Sequence, residues 1–307
     1  MDNLLCLKLC CDAGSLFLVG LPFFILYIFG DPYRRGFYCD DDSIRYPFKD
    51  STVPSTALFI VCIGLSIILI IVFEYFRIRK SLPVRGWTAM DLYFWLIYHQ
   101  IALFAFGALA SQTLTDIAKY SIGRLRPHFL NVCSPDINLC EGKDVHQYIE
   151  DYNCSNSNER NLRDARLSFM SGHSSFAAYS AVYMALYLHH RIIRKDLILV
   201  RSFIQVAILY TAIWVGFTRI SDYKHHWSDV LVGLLQGTIV AILNARYVGH
   251  MFEMRTWGRA LETRHRDSSS TSIPTSPNEA SPEGDLGNLT RNNMSDLSNT
   301  NRYSSIP

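Results

Sequence analysis

Charge is scarce in this 307-residue chain. Asp, Glu, Lys and Arg make up 18% of it, against about 25% in an ordinary soluble domain. What charge there is nearly cancels, 29 basic residues against 27 acidic, for a formal +2. No stripe of one sign stands out, so nothing argues for a nucleic-acid partner. Glycine, proline and cysteine are sparse as well, at 17, 11 and 8. Those numbers exclude a collagen-like repeat, a wholly disordered chain and a cysteine-dense scaffold. Apolar surface is what the chain has in quantity: 49% before glycine is added, where soluble domains hold about 45–50% with glycine included. Mean hydropathy is only +0.10, held down by a polar C-terminal stretch, so the rest is more apolar than the mean. The class these numbers favour is a membrane protein.

Six stretches approach the roughly 20 apolar residues that cross a bilayer as a helix. They are Ala13–Phe29, Thr56–Phe73, Leu92–Leu114, Ser174–Leu188, Leu197–Phe217 and Val230–Val248. Backbone polar groups must be satisfied internally in hydrocarbon. The expected fold is therefore an all-α membrane protein, a six-transmembrane-helix bundle over residues 13–250. Residues 1–12 form a short stub before it. Residues 251–307, rich in Ser, Thr, Asn and Pro, read as a disordered cytoplasmic tail. The first span is too long for a secretory h-region and reads as an uncleaved signal anchor.

Basic residues set the orientation. The second loop holds Arg77, Arg79, Lys80 and Arg85, the fourth Arg191, Arg194 and Lys195, and the segment after the last span Arg255, Arg259, Arg264 and Arg266. Six spans place all three, and the N-terminus, on one side, which reads as cytoplasmic. Arg34, Arg35, Arg45 and Lys49 in the first loop argue the other way and are outnumbered. Cys6, Cys10 and Cys11 then lie at the inner face, where palmitoylation is available. Cys39, Cys133, Cys140 and Cys154 lie outside, where disulfides form and three pairings are open. Asn153-Cys-Ser is an outer glycosylation sequon, while Asn288 and Asn293 in the tail should stay bare.

Positive charge in a short outer loop has no insertion bias to explain it. Yet loop three opens with Lys119 and closes its first motif at Arg126-Pro127, and loop five carries Arg219, His225, His226 and Asp229. Lys119 and Arg126, two helical turns apart, share a face if the third helix continues outward to Pro127. Ser171-Gly172-His173 would open the fourth span and present free amides to an anion. His225 and Asp229, four apart, would let the carboxylate orient the imidazole, with His226 spare. Each signal has an ordinary explanation alone, but all fall on one face of the membrane. Three cations and a helix N-terminus suit the oxygens of a phosphoryl group in transfer. One histidine can attack phosphorus while the other protonates the leaving oxygen. The outer loops lack carboxylates and histidines at metal-ligand spacing, so a metal-free, cofactor-free mechanism is favoured.

The three segments, in this order, resemble the signature of the lipid phosphate phosphatases, the type 2 phosphatidate phosphatase family: Lys-x6-Arg-Pro, Pro-Ser-Gly-His and Ser-Arg-x5-His-x3-Asp. Met170 stands for the Pro and Thr218 for the Ser. The resemblance spans about residues 13–250. It implies a nucleophilic His225 that forms a phosphohistidine, with Asp229 holding its tautomer. It implies that His173 serves as acid and then base, and that Lys119, Arg126, Arg219 and the amides near Ser171 and Gly172 hold the phosphoryl oxygens. Substrates would be phosphatidate, lysophosphatidate, sphingosine 1-phosphate or ceramide 1-phosphate, reached from the outer face of the plasma membrane or the lumen. A homo-oligomer stays open. Two rivals remain: a sphingomyelin-synthase-like lipid phosphotransferase, and a non-catalytic lipid-binding relative.

Overall fold

The computed structural model describes residues 2–79, 88–135, 146–192 and 194–251; the tail with Arg255, Arg259, Arg264 and Arg266, and also Cys140, Lys80 and Arg85, lie outside them. The chain divides into a unit spanning Ala13–Arg255 and a second made of Met1–Asp12 with Thr256–Pro307. Of the second, the described part is the first turns of helix α1 (Asp2–Phe29), on which Cys6, Cys10 and Cys11 are exposed. The expected stub is thus helical from its second residue.

The larger unit is an all-α bundle of α1 with α2 (Ser55–Ile78), α3 (Ala89–Ile122), α6 (Gly172–Arg191), α7 (Ile198–Ser221) and α8 (Trp227–Leu243), the last extended by a π turn over Asn244–Val248. Five helices are long and apolar enough to span a bilayer: Leu5–Phe29, Ser55–Ile78, Ala89–Ile122, Ile198–Ser221 and Trp227–Val248. They make the chain an integral membrane protein. Many of their large side chains, Ile60, Phe94, Leu199, Phe203 and Tyr210 among them, point outward, as lipid contact requires.

The expected fourth span, Ser174–Leu188, differs from the others. It is helical, as part of α6, but it is not among those five. This helix is the buried centre of the bundle, packed against α2, α3, α7 and α8. Its apolarity is diluted by Ser174, Ser175, Ser180, Tyr179, Tyr183 and Tyr187, all buried. Small residues bring neighbouring backbones close, and two of the tyrosines are partnered: Tyr179 donates to the Phe104 carbonyl (2.7 Å) and Tyr187 to Glu74 (3.0 Å), while the Tyr183 hydroxyl has no partner among the described residues. A helix surrounded by protein need not look lipid-soluble.

A small cap is built mostly from the segment between α3 and α6, with one strand from the segment between α1 and α2. It contains α4 (Phe129–Cys133), α5 (Glu159–Asp164) and a two-stranded antiparallel sheet of β1 (Phe37–Tyr38) and β2 (Tyr148–Ile149). Its core is Phe37, Leu125, Phe129, Val132, Ile149 and Tyr152. A disulfide joins Cys133 to Cys154, and Cys39 is disulfide-bonded too.

Candidate active site

At the end of the bundle where α1, α3 and α7 finish and α2 and α6 begin, a cavity of about 890 Å³ opens. Lys119, Arg126, Gly172, His173, Arg219 and His225, six of the eight residues expected to act on the phosphate, line it. Segments a hundred residues apart in sequence thus meet.

The first motif reaches the cavity by a route other than the expected one. Helix α3 does not continue to Pro127. It ends at Ile122 because Gly123 adopts the left-handed conformation (φ 58°) and returns its amide to the Lys119 carbonyl (3.0 Å). A Cβ at Gly123 would stand 2.0 Å from the Tyr33 carbonyl oxygen, so only glycine fits. Lys119 is on the last turn of the helix and Arg126 is on the loop. Arg126 is held by its amide on the Ala165 carbonyl (2.8 Å) and its Nη2 on Asp164 (2.7 Å), while its buried Nε has no partner among the described residues. A side chain at Gly172 would stand 3.1 Å from the Lys119 Nζ, which places that ammonium over the start of α6.

Ser171 caps α6, as its type predicts. Its groups are otherwise committed, contrary to expectation: the amide donates to the Asp229 carbonyl (3.1 Å), and the hydroxyl accepts from Ser174 Oγ (2.9 Å). The free first-turn amides at the cavity are those of Gly172 and His173. His173 Nε2 donates to the Val53 carbonyl at 3.1 Å.

His225 is 4% exposed. Its Nδ1 donates to the Ser168 carbonyl at 2.7 Å, so the neutral ring carries its lone pair on Nε2. Burial first, then the positive charge of Arg126 and Lys119 and the nearby His173, push its pKa well below the usual histidine value. The imidazole is therefore neutral at pH 7, the form a nucleophile needs.

Asp229 is not its direct partner. The carboxylate stands 3.9 Å from His225 Nδ1, beyond hydrogen-bond reach. It is fully buried and occupied elsewhere: it accepts from Ser168 Oγ (2.6 Å), the His226 amide (3.1 Å), His226 Nδ1 (3.2 Å) and Arg124. An Asp in the first turn of α8 meets free amides there, which explains the geometry. His226, expected to be spare, is thus part of the cap, and its buried Nε2 has no partner among the described residues.

Arg219 is 1% exposed and bound to Asp222 (2.7 Å) and Ser51 (3.3 Å). Asp222 in turn accepts from the Thr52 amide (2.8 Å) and hydroxyl (2.7 Å), tying loop one to loop five. Four further residues escape the sequence reading. Lys224 lines the cavity, its Nζ 3.7 Å from the Phe48 ring centroid, and burial together with Arg126 lowers its pKa. Its signal is present in the sequence, since it is the one remaining base of the His225 loop. Ser168, Arg124 and Asp222 act on other residues and show no pattern of their own. Among the described residues, no three His, Cys, Asp or Glu side chains gather as metal ligands.

With that geometry in hand, likeness to known proteins becomes informative. Residues 100–252 match the PAP2 superfamily, a stretch that holds every expected catalytic and phosphate-binding residue. The chain is 45% identical over 245 residues to phospholipid phosphatase 1 of Rattus norvegicus, covering 79% of this chain and 85% of that one. It is 44% identical over 246 residues to phospholipid phosphatase 2 of Mus musculus (80% and 87%) and 43% identical over 246 residues to phospholipid phosphatase 2 of Homo sapiens (80% and 83%). No solved structure matches the chain significantly.

Proposed function

The chain belongs to the PAP2 superfamily and is a membrane-embedded phospholipid phosphatase, and from that premise we propose that it hydrolyses lipid phosphomonoesters through a phosphohistidine on His225. The observation that carries this reading is the state of His225. Its Nδ1–H is fixed on the Ser168 carbonyl and its charged form is suppressed, and it lines a cavity shared with Lys119, Arg126 and Arg219.

The reaction divides between two histidines. Nε2 of His225 forms the bond to phosphorus as the bond to the ester oxygen breaks, and the departing lipid alkoxide takes a proton from His173. Water then attacks the phosphohistidine, giving its proton to His173, and inorganic phosphate leaves with His225 restored. Burial first, then Arg219, Lys119 and Arg126, lower the pKa of His173 to about 3; an arriving phosphate, with its negative charge, favours the proton. Lys119, Arg126, Arg219 and the Gly172 and His173 amides stabilise the equatorial oxygens. The two carboxylates lining the cavity, Asp116 and Asp164, are each beside a cation, Lys119 and Arg126. The donor set thus supports stabilisation by fixed cations and a metal-independent reaction.

Asp229 acts on the nucleophile at one remove. It holds the hydroxyl of Ser168, whose carbonyl holds His225. The cavity lies at the end of the bundle that the basic-residue pattern assigns to the outer side, so the proposed substrates (phosphatidate, lysophosphatidate, sphingosine 1-phosphate and ceramide 1-phosphate) would be met in the outer leaflet of the plasma membrane or the luminal leaflet of an internal one.

Phosphate release from phosphatidate in detergent micelles with EDTA tests the reading. Wild type is expected to turn over, and His225→Ala to lose at least about a thousandfold with its folding intact. Equal release by the variant would remove His225 from the chemistry, and loss of wild-type activity in EDTA would refute metal independence.

A further inference from the structure

The cavity holds one feature that phosphate binding does not explain. Asp116 lies on α3 one turn from Lys119 toward the bundle interior, and Gln112 one turn further, so a polar line about 10 Å long descends from the phosphate site. Asp116 is 6% exposed. Gln112 Nε2 donates to it at 3.3 Å and Lys119 Nζ stands 3.6 Å away. Both contacts fall on Oδ1, and Oδ2 has no partner among the described residues.

A buried carboxylate is costly unless its oxygens are satisfied. A negative charge beside Lys119 also works against a dianionic ligand. Neither cost is needed to orient the lysine, which a neutral side chain could do. Both are offset if a donor on the substrate reaches Oδ2 when the phosphoryl group sits at Lys119. Resting on the phosphatase reading above, we infer that Asp116 is a specificity-determining residue that accepts a hydrogen bond from a donor on the carbon next to the phosphate-bearing one. Lipids with a free hydroxyl there (lysophosphatidate) or an ammonium (sphingosine 1-phosphate) have that donor. Phosphatidate, esterified at that position, has none. Leu58 and Phe59 of α2 and Phe23 of α1 line the same cavity and give the adjoining chain an apolar wall.

The test measures kcat/KM in mixed micelles for lysophosphatidate, its 2-O-methyl ether, sphingosine 1-phosphate and phosphatidate, with wild type and Asp116→Asn. Wild type is expected to lose about tenfold or more on methylation, since a charge-assisted hydrogen bond disappears. Asp116→Asn should narrow the gap between lysophosphatidate and its ether, lose most on sphingosine 1-phosphate, where a charge pair disappears, and lose least on phosphatidate. A uniform loss on all four lipids would mean that Asp116 only serves Lys119, and would overturn the inference. So would a wild type indifferent to methylation, a comparison that stands even if the variant fails to fold. A wild type that hydrolyses no lipid phosphate would instead defeat the phosphatase reading, and this inference with it.

Discussion

The proposed attack by His225 needs one ring nitrogen fixed so that the other is free, and a backbone carbonyl does the fixing. Ser168 stands between Asp229 and His225, with a 2.6 Å bond to the first and a 2.7 Å bond to the second. If Asp229 acts through Ser168, removing either link should break the same chain. Ser168→Ala is expected to lower kcat by about tenfold with little change in KM. The loss in Ser168→Ala/Asp229→Asn should then fall short of the product of the two single losses, with a coupling of about 1 kcal/mol or more. Strict additivity in that cycle would show that the two residues act separately. At this scale the motifs point to side chains that share one cavity, those of Lys119, Arg126, His173, Arg219 and His225. They cannot point to Ser168, because any residue type has a carbonyl, nor can they show that Ser171 and Asp229 commit their groups to each other's loops.

At the scale of elements, the site depends on how closely α6 and α8 approach, since His173 is in the first turn of one and His225 directly precedes the N-cap of the other. Two glycines four apart on α8 allow that approach. A Cβ at Gly233 would stand 2.6 Å from the Ser171 carbonyl oxygen, and one at Gly237 only 2.1 Å from that of Ser175. The two backbones are in contact, with no side chain between them. Gly237→Ala should therefore cost about 1–3 kcal/mol through overpacking, seen as a lower Tm. It should also reduce kcat several-fold by moving the two histidines apart. Unchanged stability and activity would show that the helices can separate freely. The spacing Gly233-x3-Gly237 is visible in the sequence. Its meaning is not, because the partner surface on α6 is about sixty residues away. The end of helix α3 is hidden for a similar reason: Pro127 looks like the stop, but the Tyr33 carbonyl from another segment makes Gly123 the true one.

For the molecule as a whole, orientation in the membrane is the open property with the most direct readout. Asn153 is exposed on the cap, next to the Cys133–Cys154 disulfide and on the side of the bundle that bears the cavity. If that side is outer or luminal, Asn153→Gln should abolish a glycosidase-sensitive mass shift, and Asn288→Gln with Asn293→Gln should change nothing. A glycan on the tail sequons would invert the topology and place the cavity in the cytoplasm.

Apolar run length and the short list of charged residues allowed between the runs determined that this is a helical membrane protein with its chemistry at one end, because burial in lipid tolerates few alternatives. Side-chain type also marked the cations and histidines that gather, because positive charge in loops expected on the outer side has no insertion bias to explain it. Tertiary structure alone decided what each of those groups touches. The central position of α6, the indirect link from Asp229 to His225 and the unpaired oxygen of Asp116 all arise from contacts between segments far apart in the chain. Backbone amides and carbonyls make many of those contacts, and they carry no residue identity for a sequence to display.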